Sequence, residues 1–258
     1  MSKLIDLLEK AGTQSVPILG FRSKTIENKQ SDIVPIGQIS ETFHYKKKYF
    51  SNKIKDRSNI FLLSEKITSN ISENIPKNII CGVTKKDLTK NEMNRMKNIG
   101  VDFVIFDPYQ SEASILNESQ IGKVAIINNS NSEEENRAIA ELEVDAVYID
   151  QSIEKSPIKF QTVIQIQKAT NSIEVPAIIN CENNIDASDL ETIRNLGIKG
   201  IISSVEPLKD FEKFSNTIDN LPVQKNIDKN FAAISPNLQE TNPEIFDEDS
   251  DDYDDLDE

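Results

Sequence analysis

Four successive repeats of a strand–helix–strand–helix unit predict that this chain folds as an α/β protein of the (β/α)8 TIM-type barrel class. Eight short apolar runs are rich in β-branched residues and bounded by polar ones, as is typical of parallel strands covered on both faces. The odd-numbered runs begin at residues 34, 79, 123 and 175, and the even-numbered runs at 60, 102, 145 and 199. Each series therefore repeats every 42 to 54 residues, which matches a closed eight-stranded barrel.

The alternative architecture is a doubly wound open sheet, which uses the same alternation of strands and helices. Its usual signature is a glycine-rich turn after the first strand. The chain has 8 glycines and no GxGxxG or GxxxxGK[ST] motif, so the barrel is favoured. The predicted strands occupy residues 33–39, 59–63, 78–83, 102–106, 123–127, 145–149, 175–179 and 200–202.

Helix signals lie between the predicted strands. Capping boxes at 89–92, 132–135 and 188–191 predict helix starts, and Gly100 and Gly197 predict helix ends. The apolar stripes that we expect these and later helices to bury comprise Met93, Met96 and Ile99; Ile139 and Leu142; Val163, Ile164 and Ile166; Leu190, Ile193 and Leu196; and Phe211, Phe214 and Ile218.

Three parts of the chain are predicted from this pattern. Residues 1–32 form an N-terminal helix, capped by Ser2 and ended by Gly12, and a short apolar piece at 16–21 that together cover the lower mouth of the barrel. Residues 33–221 form the barrel itself. Residues 222–258 are polar, proline-punctuated and then acidic, which predicts a disordered acidic tail.

The charge of the chain is concentrated in that tail. The net charge is −14, but residues 244–258 hold ten acids and no base, and the remainder has 33 acids against 29 bases. This balance disfavours nucleic-acid binding. No apolar run approaches the roughly 18 residues of a membrane span, and no signal peptide is recognisable at the start, so we predict a soluble, cytoplasmic protein without a membrane partner. A protein partner for the tail is a further hypothesis.

Residue usage disfavours two classes of catalytic site. A single histidine, His44, disfavours a histidine-based metal site or a Ser-His-Asp triad, and no metal site is predicted. Cys81 and Cys181 lie inside apolar runs, which predicts buried reduced thiols. A nucleophilic role for Cys181 is disfavoured because Glu182 beside it would raise its pKa. The segment 42–50 mixes aromatics with lysines and is interpreted as the first barrel helix, with contact to an anionic partner as the alternative.

Candidate catalytic residues follow the predicted strands, because reactive groups in such barrels gather at the carboxyl ends of the strands. Lys85 and Asp107 end adjacent strands, and one hypothesis makes them an acid–base pair, with Asp150 polarising or orienting a substrate from across the mouth. Glu182 is interpreted as a loop acid, with a general base as the alternative. The simpler interpretation is structural: Asp107 precedes Pro108 and starts a turn, while Asp150 and Glu182 belong to loops.

A candidate cofactor or phosphate site follows the eighth strand. Ser203 and Ser204 lie where helix-start amides hold phosphate in many barrels. However, glycine is usual at that position, Glu206 adds a negative charge, and Pro207 lacks a donor. Capping of the next helix by Ser204 is therefore the structural alternative.

The unit Val-Asp, apolar stretch, Asp occurs at 101–107 and again at 144–150. With the spacing above, it resembles (β/α)8-barrel proteins in general, and most of all uncharacterised bacterial barrels outside the named enzyme families. This resemblance implies the fold over residues 33–221 and no catalytic residue. The function hypotheses are therefore binding or conversion of a small metabolite, phosphorylated ones included, or a non-catalytic scaffold that acts through the tail. The sequence leaves the reaction, the cofactor and the oligomeric state open.

Overall fold

Eight parallel strands close into one barrel in chain order, and the last strand pairs with the first. A computed structural model describes residues 2–12, 31–39, 59–64 and 79–222, all of which belong to the unit Met1–Pro222. Each predicted strand overlaps an observed one, so the barrel is confirmed and the open sheet is excluded. The strands are β1 (Val34–Ile39), β2 (Ile60–Ser64), β3 (Ile80–Thr84), β4 (Phe103–Phe106), β5 (Gly122–Ile127), β6 (Ala146–Ile153), β7 (Ala177–Cys181) and β8 (Ile198–Ser204).

Six α-helices lie within the described ranges. They are α1 (Lys3–Lys10), α2 (Lys90–Asn98), α3 (Glu133–Glu141), α4 (Phe160–Asn171), α5 (Ala187–Asn195) and α6 (Leu208–Asp219), and a short 3-10 helix spans Ala113–Asn117. None of these helices has the length and apolar character needed to cross a membrane.

Local signals set several of the described helix ends. Thr89 and Ser132 form the predicted capping boxes, each accepting a hydrogen bond from the amide of the glutamate three residues later. Gly100 and Gly197 have φ angles of 84° and 87°, a left-handed conformation that stops α2 and α5 at the predicted places. Ser2 accepts from the Ile5 amide and caps α1, as predicted.

Three sequence predictions about helices are wrong. Ser188 does not begin a helix: α5 starts after Asp186, whose amide donates to the Ser156 hydroxyl, so a tertiary contact sets the start. Leu142 is 45% exposed because α3 ends at Glu141 and the backbone of Leu142 is already extended. Ile164 is 49% exposed because the buried face of α4 runs through Ile166 and Ala169.

Side chains alternate between the inside of the barrel and the layer under the helices, because successive residues of a strand face opposite sides of the sheet. The inner set includes Ile36, Phe103, Ile105 and Ile178, and it packs against α1. The ring of Phe103 occupies the space beside Gly82, where an added Cβ would lie 2.1 Å from the ring. The interior is therefore a packed core in this region.

Helix α1 packs against the amino-terminal ends of the strands. Its first turn is held by Asp102, just before β4: the Ser2 hydroxyl donates at 2.6 Å, and the Lys3 and Leu4 amides donate at 2.9 and 3.0 Å to the same carboxylate. At the other end of the helix, Lys199 donates to the carbonyl of Ala11 at 2.9 Å. These contacts explain why α1 buries Leu4, Ile5 and Leu8 against the barrel interior.

Several sequence predictions lie outside the described residues. They concern the apolar piece at 16–21, the aromatic and basic segment at 42–50 that contains His44, and the acidic tail from 223 onward. The division of the chain at residues 32 and 221 likewise stays a prediction.

Candidate functional site

A cavity of about 220 Å³ opens at the carboxyl ends of the strands. Its lining residues are alternate residues of each strand, because every second side chain faces the inside of the barrel. Examples are Thr84 and Lys86 at the end of β3, and Ile105 and Asp107 at the end of β4. The mouth cavity is lined by Gln38, Leu62, Thr84, Lys86, Ile105, Asp107, Ile126, Asn128, Tyr148, Asp150, Asn180 and Ile202. It thus has apolar walls with a ring of polar and charged groups, which is the usual composition of a small-molecule site.

Asp107 lines the mouth cavity and also starts the turn after β4. One carboxylate oxygen accepts from the Tyr109 amide at 2.9 Å, and the other accepts from the Gln110 side chain at 2.5 Å. The turn therefore fixes the direction in which the carboxylate points. These contacts match the structural interpretation of Asp107, and they hold its carboxylate in a fixed orientation at the cavity.

Asp150 lines the same cavity from the end of β6, so both second aspartates of the repeated unit reach one mouth. Asp150 is exposed, and within the described residues no hydrogen bond or ion pair engages its carboxylate. Tyr148, two residues earlier on the same face, also lines the cavity. Burial, and then the nearby charge of Asp150, raise the pKa of Tyr148 to about 12, so its phenol is protonated at neutral pH and can donate a hydrogen bond.

Lys85 is not among the residues that line the mouth cavity. Its side chain is 10% exposed and forms ion pairs with Asp87 at 2.9 Å and Glu92 at 3.3 Å, which fastens the β3 end to α2. Lys86, one residue later, lines the cavity together with Asp107. The described geometry therefore brings Asp107 together with Lys86 and Asp150, and it leaves Lys85 under the helix layer.

The other predicted site residues also lie outside the lining of the cavity. Glu182 is exposed, and its amide donates to the carbonyl of Ile153. Ser203 is fully buried, and its hydroxyl lies 2.6 Å from the carbonyl of Cys181 and 2.7 Å from the side-chain oxygen of Asn183.

Ser204 does not cap α6, which corrects the structural alternative given above. Its hydroxyl accepts from the Glu206 amide at 3.1 Å, whereas α6 begins after Pro207 with no side-chain cap. The reason is the intervening turn: the helix starts after Pro207, too far along the chain for Ser204 to reach its first amides.

Sequence reasoning missed several polar residues of the cavity, among them Gln38, Lys86 and Tyr148. The signal that could have found them is the period-2 alternation, continued one or two residues beyond each strand end. Thr84 faces inward, so Lys86 does too and Lys85 does not. Tyr148 was interpreted as part of an apolar run, although its parity matches that of Asp150.

The lining of the cavity offers acid–base and hydrogen-bonding groups. No cluster of three or more histidine, cysteine or carboxylate side chains suited to a metal ion occurs within the described ranges. Burial, and then the charge of Asp102, raise the pKa of the Cys81 thiol to about 12. Burial, and then Glu182, raise the pKa of the Cys181 thiol, as the sequence predicted. Both thiols are buried, so neither is an available nucleophile in the described structure.

A larger open groove, of about 750 Å³, lies at the opposite end of the barrel between α1 and the loops that precede β6, β7 and β8. Two of its charged groups are engaged within the fold. The carboxylate of Asp145 accepts from the Lys123 amide at 2.7 Å, and the ammonium of Lys199 donates to Ala11. We therefore favour the smaller mouth cavity as the functional site, because its strand-end groups converge there and Asp150 is not engaged.

Comparisons with solved structures concern the fold. No protein-family model matches the sequence, and the search of curated proteins found no match. The YdjI aldolase from Escherichia coli K12 superposes with a TM-score of 0.53 at 10% identity, covering 84% of this chain and 93% of that one. A mutant tryptophan synthase α-subunit from the hyperthermophile Pyrococcus furiosus superposes with a TM-score of 0.55 at 10% identity, covering 74% and 97%. These likenesses show that the chain has the TIM-type barrel fold.

Proposed function

We propose that the mouth cavity binds a small polar metabolite, which the chain holds or converts with Asp107, Asp150, Tyr148 and Lys86. The observation that supports this proposal is convergence: side chains from the ends of four successive strands, β3 to β6, line one cavity. Ligand pockets for drug-sized molecules measure about 300–1,000 Å³. A cavity of about 220 Å³ therefore fits a smaller molecule.

The chemistry that these groups offer is proton transfer beside an oriented polar ligand. Asp107 is fixed by Tyr109 and Gln110, so it suits an orienting role. Asp150 has no partner within the described residues, so its carboxylate is available to accept a proton, and the phenol of Tyr148 is available to donate a hydrogen bond. Two structures with this fold are an aldolase and a tryptophan synthase subunit, which agrees with a small-molecule role at the level of the fold alone.

A thermal-shift screen of the full-length protein against small hydroxylated, amino, keto and phosphorylated metabolites tests this proposal. A ligand at about ten times its Kd stabilises the folded state by about 1.4 kcal/mol, which raises Tm by about 3–6 °C. We expect at least one compound to produce such a shift, and we expect Asp107→Asn and Asp150→Asn to abolish it.

The matched control is Glu154→Gln, because Glu154 is an exposed carboxylate beyond the end of β6 that does not line the cavity. This variant should keep the full shift. A stabilising compound whose effect survives both aspartate substitutions would contradict the proposed site. A screen without any stabilising compound would contradict small-molecule binding and favour the alternative of an interaction protein.

A further inference from the structure

The segment after β8 does not offer the backbone donors that hold phosphate in many barrels. The amide of Val205 donates to the carbonyl of Gln38 at 3.0 Å, and the amide of Glu206 donates to the Ser204 hydroxyl at 3.1 Å. Pro207, which precedes α6, has no N–H. Three successive positions after the strand are therefore without a free donor for an anion, and the carboxylate of Glu206 is exposed beside them.

The end of β7 shows the same pattern. The amide of Glu182 donates to the carbonyl of Ile153 at 2.9 Å, and the side-chain amide of Asn183 donates to the carbonyl of Ser204 at 2.7 Å. The hydroxyl of Ser203 is buried between Cys181 and Asn183. The two strand ends that usually supply a phosphate site thus use these polar groups to bind each other.

The charge that faces the mouth cavity is negative in the described part of the chain. Asp107 and Asp150 contribute two carboxylates, and Lys86 contributes one ammonium. The remaining polar lining groups, on Gln38, Asn128 and Asn180 among others, are uncharged. A further anion placed in this cavity would meet two like charges and one opposite charge, whereas a cation would meet two opposite charges and one like charge.

We propose that the mouth cavity selects a small hydroxylated amine over a phosphate ester or a carboxylate of the same size. This inference rests on the proposed function and adds the chemical class of the ligand. The protonated amine lies between the two carboxylates, and the hydroxyls take hydrogen bonds from the amide side chains and from Tyr148. The preference for an amine follows from the two carboxylates that line the cavity. It also follows from the amides after β7 and β8, which already donate hydrogen bonds within the fold and are not available to an anion.

Four probes of similar size test this inference on the full-length protein: 3-amino-1,2-propanediol, glycerol, glycerate and glycerol 3-phosphate. Ligand-observed NMR titration gives a Kd for each. We expect the amino-diol to bind about fivefold more tightly than glycerol, and both anions to bind more weakly than glycerol. Asp150→Asn should reduce the preference for the amine, because it removes the carboxylate that has no partner within the described residues, and Glu154→Gln should leave the preference unchanged.

Tighter binding of glycerate or glycerol 3-phosphate than of the amino-diol would overturn the charge inference, while the proposed function would stand. Equal binding of the amino-diol and glycerol, unaltered by Asp150→Asn, would overturn it as well. If none of the four probes binds, the compounds that stabilise the protein in the metabolite screen decide: amines support the inference and phosphate esters overturn it. A null result in both experiments contradicts the proposed function, and the charge inference falls with it.

Discussion

The two copies of the Val-Asp unit divide their aspartates between the two ends of the barrel. The first aspartate of each copy stabilises the amino-terminal end: Asp102 holds α1, and Asp145 accepts from the amide of Lys123. The second aspartates, Asp107 and Asp150, line the mouth cavity. An aspartate before the strand therefore has a structural role at the amino-terminal end, and an aspartate after the strand reaches the mouth cavity at the carboxyl end.

The thiols give a prediction at the residue scale. Cys81 and Cys181 are buried, and burial is the larger cause of the raised pKa of each thiol. We expect the folded protein to resist iodoacetamide at neutral pH, because the reactive thiolate is absent and the sulfur is inaccessible. Mass spectrometry should find both cysteines alkylated only after unfolding in urea. Rapid alkylation of either cysteine in the folded protein would contradict the described packing.

A shift of a single residue separates the predicted site from the observed cavity. The sequence predicted a lysine and an aspartate at the ends of β3 and β4, and Asp107 does line the cavity. The lysine beside it is Lys86, because Lys85 has the parity of the helix-facing side and pairs with Asp87 and Glu92. Strand parity was present in the sequence, but one partner of Lys85, Glu92, lies on α2, so that contact depends on how the helix packs.

At the scale of elements, one carboxylate holds the first turn of α1 to the barrel. Asp102 accepts from the Ser2 hydroxyl and from the amides of Lys3 and Leu4, which have no partner within the helix. We expect Asp102→Asn to lower the free energy of unfolding by about 1–2 kcal/mol, because the charged acceptor is lost. Urea denaturation measures this change, and hydrogen exchange at the Leu4 amide should accelerate.

Glu9→Gln is the control for this prediction, since Glu9 is an exposed acid of the same helix and lies near its other end. It should leave both measurements near those of the unmodified protein. If Asp102→Asn changed stability no more than Glu9→Gln, the role of Asp102 in holding α1 would be wrong.

The capping box of α2 predicts a dependence on pH. Burial raises the pKa of Glu92, but its hydrogen bonds with Thr89 and its ion pair with Lys85 outweigh burial, so the pKa lies below its ordinary value of 4.5. A lowered pKa in the folded state gives stability that is present above the unfolded value and is lost as pH falls through the folded value. We expect Glu92→Gln to destabilise the protein at neutral pH, with the difference from the unmodified protein shrinking below about pH 4.5.

Denaturant midpoints measured from neutral pH down to about pH 3 check this prediction. Glu134→Gln, on the exposed first turn of α3, is the comparison variant. A difference between Glu92→Gln and the unmodified protein that stayed constant over this range would show that the charge of Glu92 contributes nothing to stability.

At the scale of the whole molecule, Arg194 connects the beginning and the end of the barrel. Its side chain on α5 is 5% exposed and pairs with Asp32, before β1, at 3.3 Å. It also donates to the carbonyl of Pro222, after α6, and contacts Glu191 at 3.4 Å. One guanidinium thus joins three segments that are far apart in the sequence, which a planar, multiply donating group can do.

We expect Arg194→Lys to lower the free energy of unfolding by about 1–3 kcal/mol, because a lysine cannot reach all of these acceptors at once. Urea denaturation measures the change. Arg137→Lys, an exposed substitution on α3, controls for the loss of a guanidinium and should be nearly neutral. Equal effects of the two substitutions would contradict the connecting role of Arg194.

The sequence by itself determined the order of eight strands, their closure into a barrel, several helix ends and the buried thiols. It could do so because β-branched runs, capping boxes and left-handed glycines act within a few residues of their own position. Only the tertiary structure decided which polar groups share the mouth cavity, that Lys85 is engaged with α2, and that the amides after β8 are already used. Those outcomes depend on contacts between residues far apart in the chain, and a local sequence pattern does not show which distant residue a side chain contacts.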